Sequence, residues 1–538
     1  MLKNKRREFL YAMSIFGPNL IMAMLLAYFT SAIDPRNLGE DIELWAWVPN
    51  TEYWIVIVSI FGTLFTVSRI FDALIDVPLA SLIDRTKNKY KRIRMPILIG
   101  IVPMIAAAVA LCFPLNLDFD SVPNTWWFFG MLIVFFAFYT LTTLAFFSSL
   151  PSVCKDRKQR TRIAYFKAFI DTVQYALAYA LAPLILNVLR NIRINGTPIN
   201  IMHVILMMTP LMLTILIPVF MSIGREKKDL LEANALNNAE KAENLKPAIA
   251  DTESDAENGE KEQKAGIFNR IAFAFKSIFK SLAFVFKSRA YWPWLIVACL
   301  YFMGLQLFLS AQNDLISGVL QLGVIWSAVL NAAAFGPVPI MLYFFNKILK
   351  KKGVRFAFQL SLLFFASGIM CFSIGSAVLF PNSIIPRIII NAIGGTISSF
   401  AIGSFFMMPT MITSQVAAVD RKVTKRNNNA MYFAGQGIVL GIAVAITTGV
   451  IWNNGLKGIG VLEVASTLPE SGGIYSIPLG GFISPFIVAG LSLLAFGVSF
   501  LMPKRYDVQT IGKYFDKNYV PDAADLSDNE VVQKTESE

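Results

Sequence analysis

The chain has 538 residues, of which 55% are hydrophobic and only 16% charged, with a formal net charge of +12 and a mean hydropathy of +0.56. A soluble protein is about 45–50% apolar and about 25% charged. Both values here lie on the lipid side of that, so the three or four soluble domains that length alone implies are not expected. Four cysteines in so long a chain make no disulfide framework, and one histidine, His203, leaves little room for His-ligated metals or for Ser/His and Cys/His catalysis.

An α-helix needs about 20 largely apolar residues to cross a hydrocarbon core about 30 Å thick. Runs of that length fall at about 10–31, 53–83, 95–115, 125–150, 163–188 and 202–223. After a polar break they resume at about 291–318, 324–346, 355–378, 384–409, 428–453 and 478–502. The reading is an all-α integral membrane protein with twelve transmembrane helices, six on each side of the break. The first run is too long for a cleaved signal peptide and contains Pro18 and Asn19.

Basic residues cluster in alternate connections. They include Lys5, Arg6 and Arg7 before the first span, Arg85, Lys87, Lys89, Lys91, Arg92 and Arg94 between the second and third, and Arg157, Lys158, Arg160 and Arg162 between the fourth and fifth. Lys347 to Arg355 and Arg421 to Arg426 continue the alternation in the second half. The positive-inside rule then places both termini in the cytoplasm and the protein in the plasma or cytoplasmic membrane. The net charge is thereby a topology signal, and no nucleic acid is needed as a partner.

The chain divides into an N-terminal six-helix bundle (1–223), a linker (224–289), a C-terminal six-helix bundle (290–503) and a tail (504–538) read as disordered. The stretch 224–265 is polar and reads as a solvated linker. Between 266 and 288, Phe268, Ile271, Phe275, Ile278, Phe279, Leu282 and Phe286 recur at helical spacing. That pattern predicts an amphipathic helix, lying on the inner leaflet or packed under the second bundle. Two six-helix halves joined by such a linker point to the major facilitator architecture, with a substrate site between the halves near mid-membrane.

An ionisable side chain at the centre of a span costs about 2.5–3.5 kcal/mol on insertion scales. The second span carries Arg69, Asp72 and Asp76, spaced three and four apart and therefore on one stripe of the helix. Counting about 1.5 Å per residue from the basic end puts Asp72 about 16 Å deep, close to the midplane. Two carboxylates on one face can hold a cation or share a proton, with Arg69 as charge partner; a buried structural Arg–Asp pair is the alternative. The fifth span carries Lys167 and Asp171, the seventh Gln306, Gln312, Asn313 and Asp314, and the eleventh Gln436. Arg387, at the start of the tenth, is expected to snorkel to the outer interface. No GxxxxGK[ST], HExxH or GxSxG sequence and no Cys/His metal spacing occurs, so an enzyme is not expected, nor a cofactor or metal beyond a Na+ at Asp72 and Asp76.

The stretch from Arg69 to Pro96, RIFDALIDVPLASLIDRTKNKYKRIRMP, resembles the helix-2 signature of the glycoside–pentoside–hexuronide:cation symporters. Arg69, Asp72, Ala73, Asp76, Asp84, Thr86, Lys89, Arg92 and Arg94 fit it, while Val77, Ala80 and Lys91 depart and the closing proline comes one residue late. Tyr139-Thr140 with Ser149-Leu150-Pro151, and Arg160 to Lys167, resemble two further family segments. The resemblance covers roughly residues 1–170 and is thin beyond, where Arg426 and Tyr432 carry it.

The resemblance implies that Asp72 and Asp76 are the cation ligands, with Thr140 adding a hydroxyl. It also implies that the loop residues Asp84, Arg85, Lys89, Arg92 and Arg94 serve the conformational change. A family asparagine on this helix is Ile75 here, which leaves Na+ and H+ both open as the coupling ion. The sugar site departs further: family carboxylates align with Asn19 and Thr143, the tryptophan with Phe147, an arginine with Lys167 and a lysine with Leu440. Asn19, Thr143, Phe147, Lys167 and Gln436 are the expected substrate contacts. The expectation is a monomeric symporter of a sugar or glycoside working by alternating access. A lipid-like solute on the same fold, or a transport-inactive sensor or scaffold, are the alternatives.

Overall fold

A computed structural model describes residues 5–33, 46–48, 53–86, 88, 90–154, 156–189, 192–194, 197–224, 226, 283, 286–425, 428–456, 459–469, 473–516 and 519. Among them are twelve helices long and apolar enough to cross a membrane. In the first half these are α1 (Lys5–Phe29), α2 (Val58–Asp84), α3 (Lys91–Leu111), α4 (Val122–Pro151), α5 (Arg157–Leu186) and α6 (Ile201–Gly224). In the second half they are α7 (Trp292–Gln312), α8 (Ile325–Lys352), α9 (Val354–Ile374), α10 (Ile384–Thr424), α11 (Asn429–Trp452) and α12 (Leu479–Ser499).

Polar residues at the helix entrances supply acceptors for the first free N–H groups. Ser121 accepts from the Asn124 N–H at the start of α4, Asp156 from Gln159 at the start of α5, and Asn200 and His203 form a capping box on α6. Gly353 alone separates α8 from α9. Its φ of +85° suits a residue without a side chain, and a Cβ there would stand 2.8 Å from the Lys504 carbonyl oxygen.

Within the first half α3 packs on α4 and α1 on α6; within the second, α9 packs on α10 and α12, and α7 on α12. The halves meet where α11 lies along α2 and α4, and where α5 lies along α8 and α10.

The structure departs from the sequence reading in four places. Helix α10 runs to Thr424, 15 residues past the apolar window, because Thr413, Ser414, Gln415, Val416 and Asp420 are buried by packing. Part of the tail is ordered: α13 (Val508–Phe515) is capped by Asp507, packs on α10, and buries Ile511 completely. Two antiparallel strand pairs, β1 (Arg193–Ile194) with β2 (Thr197–Pro198) and β3 (Val461–Ala465) with β4 (Ile474–Pro478), fold the connections after α5 and α11.

Arg387 does not snorkel. It is 0% exposed, and its guanidinium donates to the carbonyls of Phe380 (2.8 Å), Ser383 (3.1 Å), Leu320 (3.0 Å) and Pro381 (2.8 Å) while lying over the Tyr475 ring. Four carbonyls from the α7–α8 and α9–α10 connections converge on one cation and outweigh the pull of solvent on it. The amphipathic segment 266–288 and most of the 224–289 linker lie outside the described residues.

Candidate functional site

The α2 stripe faces α4 and α11. Thr140 of α4 donates its hydroxyl to Oδ1 of Asp72 at 2.6 Å, and Arg69 donates Nη1 to Oδ2 of the same carboxylate at 3.2 Å. The guanidinium of Arg69 lies 4.7 Å from the centre of the Phe136 ring on α4. Arg69 and Thr140 are each 6% exposed, so both carboxylate oxygens of Asp72 are engaged by partners inside the helix bundle. One turn on, Asp76 has no hydrogen-bond partner among the described residues. Its carboxylate abuts the backbone of Gly437 in α11. Arg69, Asp72 and Thr140 are thus brought together, with Asp76 next to them.

A second polar group lies on α1 and α5. Lys167 forms a buried ion pair with Asp171, and the other oxygen of Asp171 accepts from Asn19 Nδ2 at 3.4 Å. Asn19 in turn accepts from the Tyr139 hydroxyl at 2.8 Å. The ammonium of Lys167 lies 5.4 Å from the centre of the Phe147 ring, which stacks on Phe433 of α11 at 5.5 Å. Asn19, Phe147 and Lys167 are therefore brought together.

Thr143 and Gln436 are placed differently. The Thr143 hydroxyl turns back to the Tyr139 carbonyl of its own helix at 2.9 Å. The side-chain oxygen of Gln436 accepts from Trp294 and Thr413, at 3.1 and 2.5 Å.

Three participants escaped the sequence reading. Asp171 is not among the expected substrate contacts, yet it ties Lys167 to Asn19. Tyr139 was visible only as the neighbour of Thr140, and its role follows from helix geometry: residues 139 and 140 point to adjacent faces of α4, one to each polar group. Gly437 gives no signal beyond being a glycine in an apolar run.

Aromatic rings flank the Lys167 group. Tyr175 of α5 stacks on Phe406 of α10 (4.8 Å) and on Phe335 of α8 (6.0 Å), so rings from the two halves close over the space beyond Asp171. At the basic end, Asp84 accepts from the N–H groups of Ala430 and Met431, both at 3.1 Å, so the end of α2 caps the start of α11. Arg92 closes its loop by donating Nη2 to the Thr86 carbonyl at 2.9 Å, and Arg94 pairs with Glu226. Lys89 and the side chain of Arg85 lie outside the described residues. So does any contact of Arg426.

A cavity of about 1150 Å³ lies away from these residues. It opens at the basic end, between the ends of α4, α5, α8 and α10 and the entry to α13. Among the described residues no group of three or more His, Cys, Asp and Glu side chains could hold a metal ion.

A family model described as MFS/sugar transport protein matches residues 50–248, which include the whole α2 stripe, Thr140 and Lys167. No curated protein matches the chain. Among solved structures it is similar to the xylose transporter from E. coli in a partially occluded inward-open conformation, with 12% identity and a TM-score of 0.53. That match covers 91% of this chain and 95% of that one. It is also similar to a bacterial homologue of the iron transporter ferroportin in an outward-facing state, with 10% identity and a TM-score of 0.52, covering 93% and 99%. The twelve helices therefore adopt the major facilitator fold of a multi-pass membrane protein.

Proposed function

We propose that the chain is a secondary transporter that couples a cation to a sugar-like solute by alternating access, with its basic loops and both termini in the cytoplasm of a plasma or cytoplasmic membrane. The observation that carries this is the shared carboxylate of Asp72. Two acids and a hydroxyl at mid-span form an oxygen-rich set of the kind hard cations prefer, and a tethered guanidinium already occupies one position. Arg69 is the internal counter-ion of this set. An arriving Na+ or H+ takes its place on Asp72, and the guanidinium stays over Phe136. Asp76 carries that change to α11, because its carboxylate rests on the opposite half.

Lys167, Asp171 and Asn19 offer donors and acceptors for hydroxyl groups, and Phe147 offers a ring face of the kind on which a sugar can lie. The family match over residues 50–248 supports the sugar reading. A lipid-like or amphipathic solute is the second reading, favoured by the rings of Phe147, Phe433, Tyr175 and Phe406 around the polar group. Uptake into proteoliposomes under an imposed Na+ or H+ gradient tests the proposal, with a panel of sugars set against lysolipids. Gradient-driven uptake should disappear in Asp72→Asn and in Asp76→Asn. Uptake that survives both would remove the cation from the mechanism.

A further inference from the structure

We propose that the cavity at the basic end is a binding site for a phosphate-bearing anion, separate from the mid-membrane residues. Its volume of about 1150 Å³ lies slightly above the about 300–1,000 Å³ of small-molecule sites. The walls come from both halves, and Asn19, Lys167 and Asp72 are not among them.

Nine lining side chains are Lys or Arg against two acids, Asp156 and Asp507. Both acids are engaged: Asp507 takes Arg157 at 3.2 Å, and Asp156 caps α5. Arg162 is held by Glu8. Lys5, Lys158, Arg160, Lys350 and Arg505 have no ion pair or side-chain hydrogen bond with another described residue. Local neutrality therefore calls for an anion from outside.

The wall also holds polar atoms that lack a partner. Among the described residues, the Tyr506 hydroxyl and Arg160 Nε are buried donors with nothing to donate to, and the Gln415 side-chain oxygen is likewise unpaired. Tyr506 and Gln415 are each only 1% exposed, and a turn of the Gln415 amide would present an N–H to the same space. Buried donors without acceptors are costly. A phosphate supplies up to three acceptor oxygens and close to two charges, matched to arginine forks and to a tyrosine hydroxyl. A neutral sugar would leave the charge uncompensated. The phosphate can come from a soluble phosphorylated metabolite or from an anionic lipid headgroup.

The test uses the purified full-length protein and sodium tripolyphosphate, read as a thermal shift at constant ionic strength. A parallel arm compares nanodiscs of phosphatidylcholine alone with nanodiscs containing a phosphoinositide. Tripolyphosphate should raise Tm saturably, and its apparent Kd should weaken about tenfold in Arg160→Gln and in Tyr506→Phe. Lys350→Gln and Arg505→Gln, at less buried positions, test the same point should the first pair fold poorly. Stabilisation by the phosphoinositide discs alone assigns the site to a headgroup; a shift with the soluble probe assigns it to a metabolite. No saturable shift in either arm, or equal shifts in wild type and all variants, overturns the proposal.

Discussion

Gly437 of α11 presents its bare Cα to the carboxylate of Asp76 in α2, and a Cβ at that position would run into Oδ2. The same seam continues outward, where Gly441 faces Ala73 and Gly449 faces the Thr66 hydroxyl. The two halves therefore touch through glycine backbone along one face of α2, which is also the face that carries the acids. A change in what Asp76 holds changes how closely α11 can lie against it.

Overpacking a tight contact costs about 1–3 kcal/mol. Gly437→Ala should therefore depress gradient-driven uptake about tenfold or more while leaving expression and helix content intact. Gly490→Ala in α12, where an added Cβ meets nothing within 4 Å, is the matched control and should transport as wild type. Normal uptake by Gly437→Ala would show that the seam yields.

Asp84 joins the halves at the other end of the same two helices. Its carboxylate accepts from two N–H groups at the start of α11, where an anion is favoured by the helix dipole. Loss of a capping side chain costs about 0.5–2 kcal/mol. In Asp84→Ala the amides of residues 430–434 should exchange with deuterium faster, and Asp84→Asn, which keeps an acceptor oxygen, should stay close to wild type. Equal protection in all three proteins would mean that Asp84 does not hold α11.

The twelve helices could be read from the sequence because lipid imposes a length on each apolar run, and Asp72 and Asp76 stood out because a charge in such a run is costly. Where packing between helices decides, the sequence carried less. Arg387 looks like an interfacial cation, since nothing local marks Phe380, Ser383, Leu320 and Pro381 as carbonyls that converge on it. Residues 410–424 look too polar to extend α10, and it is burial against neighbours that keeps them helical. Tyr139 and Asn19 are 120 residues apart, a separation at which no periodicity speaks.

Arg387 leads to a stability prediction. Arg387→Met removes the buried donor from the Leu320 carbonyl and one donor from each of those of Phe380, Pro381 and Ser383, and an unsatisfied buried acceptor costs about 1–3 kcal/mol. The purified variant should unfold at a clearly lower temperature. Arg387→Lys, a point donor that cannot reach several carbonyls at once, should recover only part of the loss. A Tm for Arg387→Met equal to wild type would contradict the clamp.

Burial pushes the thiols of Cys112 and Cys154 up to about 12. The shift is upward, so the reactive thiolate is scarce at neutral pH, about one part in ten thousand at pH 8. Neither thiol should react with maleimide in the folded protein at pH 8, and both should react after denaturation in detergent. Mass spectrometry of tryptic peptides distinguishes them, and rapid native labelling of Cys154 would place it outside the packed core.

Adjacent residues of α4 serve different groups, which allows the two proposed sites to be separated. Thr140 donates to Asp72, whereas Tyr139 donates to Asn19 and through it joins Asp171 and Lys167. A hydrogen bond to a charged group contributes about 1.5–3 kcal/mol, so Thr140→Val should raise the cation concentration for half-maximal uptake about tenfold or more. Solute affinity measured at saturating cation should stay near wild type. Tyr139→Phe should do the reverse, weakening solute binding with little change in cation dependence, and Thr140→Ser should restore the cation response because it keeps the hydroxyl. If both substitutions move both parameters equally, α4 transmits between the groups instead of serving each separately, and the two-site division fails.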